Sequence, residues 1–314
     1  MRRLVLSAAL SVFPIALLLA LPGRTQDGAA AGTVRTIHSA DSQMRIAVVG
    51  VDDPARVAVL QHWAVEAARA TTSVAGRFPL DRARVEIRQR RGRGSSPVPW
   101  GQTSRRGTVS VLLYVREGAT LPELRGDWTA VHEFSHLFHP FLGREGRWMA
   151  EGLASYYQNV LRARAGLLAP ADAWRKLDAG FGRGRRATTA VPLSSSSGHR
   201  GPMRVYWAGA AYWLQADLAL RLRGGSLDAV LARYARCCLE GNAQLSPLAF
   251  ARALDRIDGH DLFERLYREY AAATRFPDLS ASYAALGLDT RDGRLVFDDD
   301  PDKARLRAAV MRGD

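Results

Sequence analysis

The stretch His132-Glu133-Phe134-Ser135-His136-Leu137-Phe138-His139-Pro140 decides how the rest of the chain is read. Two histidines four residues apart project from one face of a helix, so both imidazoles can reach a single metal ion while Glu133 stands beside them to exchange a proton. Trp128, Val131, Phe134, Ser135, Leu137 and Phe138 recur at helical spacing around that pair, and Pro140 ends the run. A chain with 7 histidines in 314 residues contains such a pentapeptide by accident roughly once in two hundred cases, so chance is a poor account of it.

A zinc ion held by two histidines in a catalytic site needs a third protein ligand and one open position. The next amphipathic stretch, residues 147–162, contains Trp148-Met149-Ala150-Glu151-Gly152-Leu153-Ala154-Ser155-Tyr156-Tyr157 and can return antiparallel after the short turn at 143–146. Glu151 is the expected third ligand. Two rivals stand near it: Glu145 in the turn, and His139, seven residues past His132 and hence on the metal-facing side, though next to the proline at the helix end. The bland reading of His139 is a helix-terminal side chain.

These two motifs resemble the gluzincins, zinc peptidases whose third ligand is a glutamate on the helix after the histidine helix. Within that clan, the string from Val205 to Leu231, VYWAGAAYWLQADLALRLRGGSLDAVL, is most similar to the glycyl aminopeptidase family. The resemblance runs from about Trp128 to Leu288 and implies an α+β zincin (thermolysin-like) catalytic domain, with a small mixed β-sheet as upper lobe and a mostly helical lower lobe. It implies one Zn2+ per chain on His132, His136 and Glu151, Glu133 as general base, and Tyr206 as the hydroxyl that meets the developing oxyanion. Taken alone, Tyr206 with Trp207, Tyr212 and Trp213 reads as an aromatic core stripe. The family's glycine-rich segment that binds a substrate amino terminus has its nearest counterpart in Gly101-Gln102-Thr103, and the strand at 109–115 is expected to pair with extended substrate. The likeness is to a reduced version, with no PDZ-like segment after Leu288 and too few residues upstream for the full amino-terminal β-domain.

Zinc in such a set lowers the pKa of bound water and polarises a carbonyl, so the expected activity is peptide-bond hydrolysis, end-trimming and internal cleavage being left open. The alternatives are a silent, basic peptide-binding or scaffold protein of the same fold, against which Glu133 argues, and a zinc hydrolase of a non-peptide bond. The expected partner is a peptide or protein substrate.

The chain starts with two arginines, an apolar run from Leu4 to Leu21 and then small residues, which is the pattern of a secretory signal peptide with a break after Ala31. Export to the periplasm or medium is expected, with membrane attachment only if that segment is retained. The formal charge of +13 is almost all arginine, since Lys176 and Lys303 are the only lysines. The runs at 88–93 and 183–186 read as solvated loops, and nucleic acid is not an expected partner because neither run carries interleaved aromatics. Cys237 and Cys238 are expected as two free thiols in a helix, given the strain of a bridge between neighbours.

Organisation follows. Residues 32–43 read as a flexible leader, 44–127 as the upper lobe, 128–297 as the helical lobe with the zinc site, and 298–314 as a frayed, charged tail. Strands are expected at 45–51, 84–89 and 108–116 and a helix at 54–76, with 90–107 mobile and 180–202 a surface loop. Helices are expected at 205–223, 227–239, 247–257 and 262–274, with Ser226, Ser246 and Asp261 placed to start the last three. Asp217 and Arg221, four apart, are expected to pair.

Overall fold

The computed structural model describes residues 33–313 except 93, 106, 188 and 197–201; the proposed signal segment lies outside the described residues. The upper lobe is a five-stranded mixed sheet built from β1 (Val34–Ser39), β2 (Ser42–Val49), β3 (Arg82–Arg90), β4 (Trp100–Ser104) and β5 (Ser110–Arg116), in the order β1-β2-β3-β5-β4. β2, β3 and β5 run parallel, and β1 and β4 flank them antiparallel. The helix α1 (Pro54–Ala70) makes the crossover between β2 and β3; Asp53 caps it, accepting from the Ala55 amide at 2.9 Å, and Pro54 opens it. Alternation then sorts the residues: Ile46, Val48, Val85, Ile87, Val111 and Leu113 all point to one face and are buried.

Below that face lies the helical lobe. The short helix α2 (Leu121–Gly126) leads into α3 (Thr129–Ser135), which carries the first motif and tightens into a 3-10 turn over His136–Phe138 before Pro140. α4 (Arg147–Arg164) carries the second, followed by α5 (Pro170–Arg186), α6 (Pro202–Arg221), α7 (Leu227–Cys237), α8 (Pro247–Asp258), α9 (Leu262–Ala272) and α10 (Ser280–Leu286). A hairpin, β6 (Leu288–Arg291) and β7 (Arg294–Phe297), and α11 (Pro301–Arg312) complete the described chain.

The crossing of α4 and α6 fixes the geometry of the lobe. A Cβ on Gly209 would sit 1.9 Å from the Trp148 carbonyl oxygen, and one on Gly152 would sit 2.3 Å from the Gly209 carbonyl carbon. Two glycines therefore let the helix backbones touch. Behind the crossing, Asp217 pairs with Arg221 at 3.0 Å and accepts from the Tyr156 hydroxyl at 2.7 Å. Asp228 likewise meets the Tyr157 hydroxyl at 2.8 Å and Arg164 at 2.8 Å, so these buried charges are all paired.

Several sequence expectations give way here. The leader at 32–43 contains β1, an edge strand with Ile37 as its one buried hydrophobic side chain and hence no alternation to read. The mobile loop at 90–107 contains β4, too short and too polar to announce itself. The surface loop starting at 180 is helical as far as Arg186, because Gly180 and Gly184 sit against Trp207, where a Cβ would come within 2.2 and 2.8 Å. The frayed tail is α11, with Val310 and Met311 buried and the Val310 carbonyl accepting from Arg164. Cys237 and Cys238 form a disulfide between neighbours, possible because the helix stops at Cys237 and Cys238 takes φ −142°. Asp261 does not cap α9; the Asp255 carboxylate accepts from the Phe263 and Glu264 amides instead, at 2.7 and 2.8 Å. Ser226 and Ser246 cap α7 and α8 as expected.

Candidate metal centre

Among the described residues, His132, His136 and Glu151 each offer a ligand atom, all within 4.8 Å of one another. His132 Nε2 lies 3.3 Å and His136 Nε2 3.7 Å from Glu151 Oε2. Two imidazoles and a carboxylate are the donor chemistry of zinc, and three protein donors leave a position for water or substrate.

The outer contacts set which nitrogen faces the metal. His132 Nδ1 donates to Gln158 Oε1 at 2.8 Å, which leaves the lone pair on Nε2. On the other histidine the relay has two links. His139 Nδ1 donates to the Pro140 carbonyl at 2.7 Å, so its Nε2 accepts from His136 Nδ1 at 3.0 Å, and His136 Nε2 keeps its lone pair toward Glu151. Burial holds His139 well below the usual histidine range, so it stays neutral and able to accept. His139 thus stands behind His136 rather than beside it, and Glu145 falls outside the ligand cluster. His139 and Gln158 are partners of the two histidines that the sequence did not signal in this role; the spacing put His139 on the correct side of the helix but could not say how deep.

Burial works against the Glu151 carboxylate, but its contacts with His132, His136 and Arg147 bring it down to about 2. Burial likewise pushes His136 down to about 4. Both groups are therefore deprotonated near neutrality, as ligands must be. Glu133 is buried and its carboxyl is raised, by burial first.

β4 roofs this glutamate. Thr103 Oγ1 lies 2.9 Å from Glu133 Oε2, and a Cβ on Gly101 would come within 2.6 Å of Glu133 Cγ. The strand that follows it in sequence is not at the cleft: β5 is paired on both sides, by β3 and β4, so it has no edge for a peptide, and the earlier expectation for 109–115 passes to β4. Arg105 follows β4, its guanidinium donating to the carbonyls of His136, Leu137 and Gly241 at 3.0, 3.1 and 2.6 Å. It closes the carbonyl end of the histidine helix, a role nothing in an arginine-rich segment signals.

Tyr206 reaches the site because α6 crosses α4 so closely. Its ring stacks on His132, centroids 5.9 Å apart at 16°, and the side chain is half-buried rather than in the core. Burial and the Glu151 charge push its hydroxyl up to about 12 against the opposing pull of Arg147, so it remains a donor.

Solved structures share this arrangement of elements. An aminopeptidase N family protein from Idiomarina loihiensis superposes with a TM-score of 0.62 over 82% of this chain and 49% of its own, at 14% identity. The fold is that of the M1 zincin peptidases. A two-domain M1 zinc metallopeptidase bound to L-arginine matches at TM-score 0.50 and 14% identity, covering 78% of this chain and 53% of that one. Native yeast LTA4 hydrolase matches at 0.52 and 11%, covering 81% and 42%. The chain spans about half the length of these M1 structures. No family model and no curated relative matches the sequence.

Proposed function

We propose that this chain is an exported zinc-dependent peptidase that cleaves internal peptide bonds. The observation that carries the reading is one cluster with the whole set of parts: a His132–His136–Glu151 donor set, a buried Glu133 beside it, and the Tyr206 ring stacked on His132. Zinc in this set supplies Lewis acidity toward water and the scissile carbonyl. Glu133 accepts the proton from the attacking water and returns it to the leaving amine; its raised pKa suits a group that must do both. Tyr206 donates to the carbonyl oxygen as charge builds there, from a position fixed before substrate arrives. The open edge of β4 pairs with the substrate backbone and Thr103 steadies Glu133.

Internal cleavage is supported by the charges at the cleft. β4 carries Trp100, Gly101, Gln102, Thr103 and Ser104 and no carboxylate, while Arg147 stands at the ligand cluster, 3.4 Å from Glu151. A free substrate ammonium meets like charge there. Support for export is the apolar run from Leu4 to Leu21.

The test is metal content and cleavage on one preparation, wild type beside Glu133→Gln, against a library of free and amino-acetylated peptides. Expected are about one zinc per chain in both, cleavage in wild type alone, and internal cuts that acetylation does not slow. Products trimmed only from free amino termini would overturn internal cleavage. Zinc without cleavage in either protein would favour a binding role.

A further inference from the structure

The sheet has two faces, and the zinc site uses one. On β3, Ala83, Val85 and Ile87 are buried against the helices, while Arg84, Arg88 and Arg90 stand exposed on the other side. Register carries that outer face across the sheet: Arg45 of β2 lies opposite Arg84, Tyr114 of β5 opposite Arg88, and Trp100 of β4 opposite Tyr114. Arg88 pairs with Glu86 on the same strand. Arg45, Arg84 and Arg90 have no acidic partner among the described residues, although each is exposed. Trp100 is 41% exposed, and its ring lies 5.5 Å from that of Tyr114.

Like charges in neighbouring register repel, and the fold keeps Arg45 opposite Arg84 although the acid on β3, Glu86, is taken up by Arg88. An exposed, cationic, aromatic-edged face calls for a broad anionic partner. We propose that this outer face docks on an anionic lipid bilayer. Arginines near such a surface each add attraction, and tryptophan and tyrosine are the side chains that settle at the headgroup level. The chain outside the described residues points the same way. The apolar run ending at Leu21 enters the fold at β1, the edge strand of this same sheet, through about a dozen residues that extend to at most roughly 40 Å. Wherever that run is retained in a bilayer, the sheet is held close to it, and docking of the face becomes an intramolecular step at high effective concentration. Single-stranded nucleic acid fits less well, because it stacks on successive open aromatic platforms, whereas Trp100 and Tyr114 tilt against each other at 58°. Docking by the outer face leaves the opposite face, with α3 and its ligands, turned away from the lipid. The inference does not depend on what the zinc site cleaves.

The experiment is co-sedimentation of the full chain with phosphatidylcholine vesicles and with equimolar phosphatidylcholine–phosphatidylglycerol vesicles, at about 0.1 M salt. Stronger partition into the anionic vesicles is expected. The triple variant Arg45→Gln, Arg84→Gln, Arg90→Gln should lose roughly a hundredfold of that partition, at about fivefold per arginine, with binding to neutral vesicles, thermal stability and zinc content unchanged. A control triple on the helical lobe, Arg236→Gln, Arg256→Gln, Arg265→Gln, removes the same charge from other exposed positions and should change partition little. Equal losses in the two triples would overturn the proposal by reducing it to net charge, as would absence of any anionic preference. Tighter binding of a single-stranded oligonucleotide at the same salt, abolished in the first triple alone, would assign the face to nucleic acid instead.

Discussion

The metal centre is held from two sides by different means. Below, α3, α4 and α6 make an apolar cradle in which backbones touch through Gly152 and Gly209, and every ligand hangs from a helix with fixed neighbours. Above, the roof is an edge strand and a loop tied down by a few polar contacts, Thr103 to Glu133 and Arg105 to three carbonyls. The cradle sets what the site can do chemically, and the roof sets what can approach it. A close-packed crossing admits one geometry, whereas a strand fastened by hydrogen bonds can change its side chains without disturbing the ligands.

The most severe way to break the cradle is Gly209→Ala. The added methyl would lie 1.9 Å from the Trp148 carbonyl oxygen, a backbone atom that can yield only if the helices part. Overpacking against backbone should cost about 3 kcal/mol or more in urea denaturation, and in whatever folds, Tyr206 should retreat from His132 so that cleavage falls further than zinc binding does. If stability were unchanged, the two helices would not meet as described. The corresponding change in the roof, Gly101→Ala, presses on Glu133 Cγ and the Thr129 methyl, side-chain rather than backbone atoms, and the contrast between the two variants measures how much stiffer the lower half is.

This difference also explains what the sequence disclosed. Much of the cradle was legible: the four-residue spacing of His132 and His136 is a periodic signal, Glu151 lies on the next amphipathic stretch, and the helices at 205–223, 227–239, 247–257 and 262–274 carry glycine, serine and proline punctuation at their ends. The roof was not. β4 is five residues long with polar side chains, and Arg105 looks like its many solvated counterparts until a structure shows the carbonyls it meets. The outer face of the sheet was hidden for another reason, because the arginines of β3 read as a run in sequence and become a surface only once β2, β4 and β5 are laid beside them. Periodicity reports burial on one element, whereas register and long-range polar contacts belong to pairs of elements.

Within the cradle, the His136–His139 relay is the sharper test of how zinc is held. His139→Phe keeps much of the volume and removes the acceptor behind His136. Outer partners of metal-bound histidines are commonly worth 10–100-fold in affinity, so competition with a chelator should show zinc held about tenfold or more less tightly, at an unchanged ratio of one per chain. His139→Gln, which can still accept from His136 through its amide oxygen, should recover part of the loss. Were both variants to bind like wild type, His139 would be packing alone.

The smallest effect is on pH, and it isolates the same residue without metal. Burial keeps His139 neutral in the folded chain, its pKa well below the ordinary value of 6.5. The sign follows from proton counting: below pH 6.5 the unfolded chain takes up a proton at this position and the folded chain does not, so stability falls as pH drops through 6.5 and keeps falling until the folded value is reached. The loss approaches about 1.4 kcal/mol for each pH unit. His132 is shifted the other way, upward through Glu151 and Glu133 although burial opposes it, so its contribution grows as pH falls toward 6.5 and is constant below. Other buried carboxyls, Glu133 among them, add slopes of their own, and for that reason the quantity to measure is a difference. Urea denaturation of the metal-free wild type and of metal-free His139→Phe between pH 6.5 and 5 should show the wild type losing stability faster, by about 1 kcal/mol over the first unit. Parallel curves would mean that His139 is protonated or solvated in the folded chain, and the neutral acceptor behind His136, on which the orientation of that imidazole rests, would be lost with it.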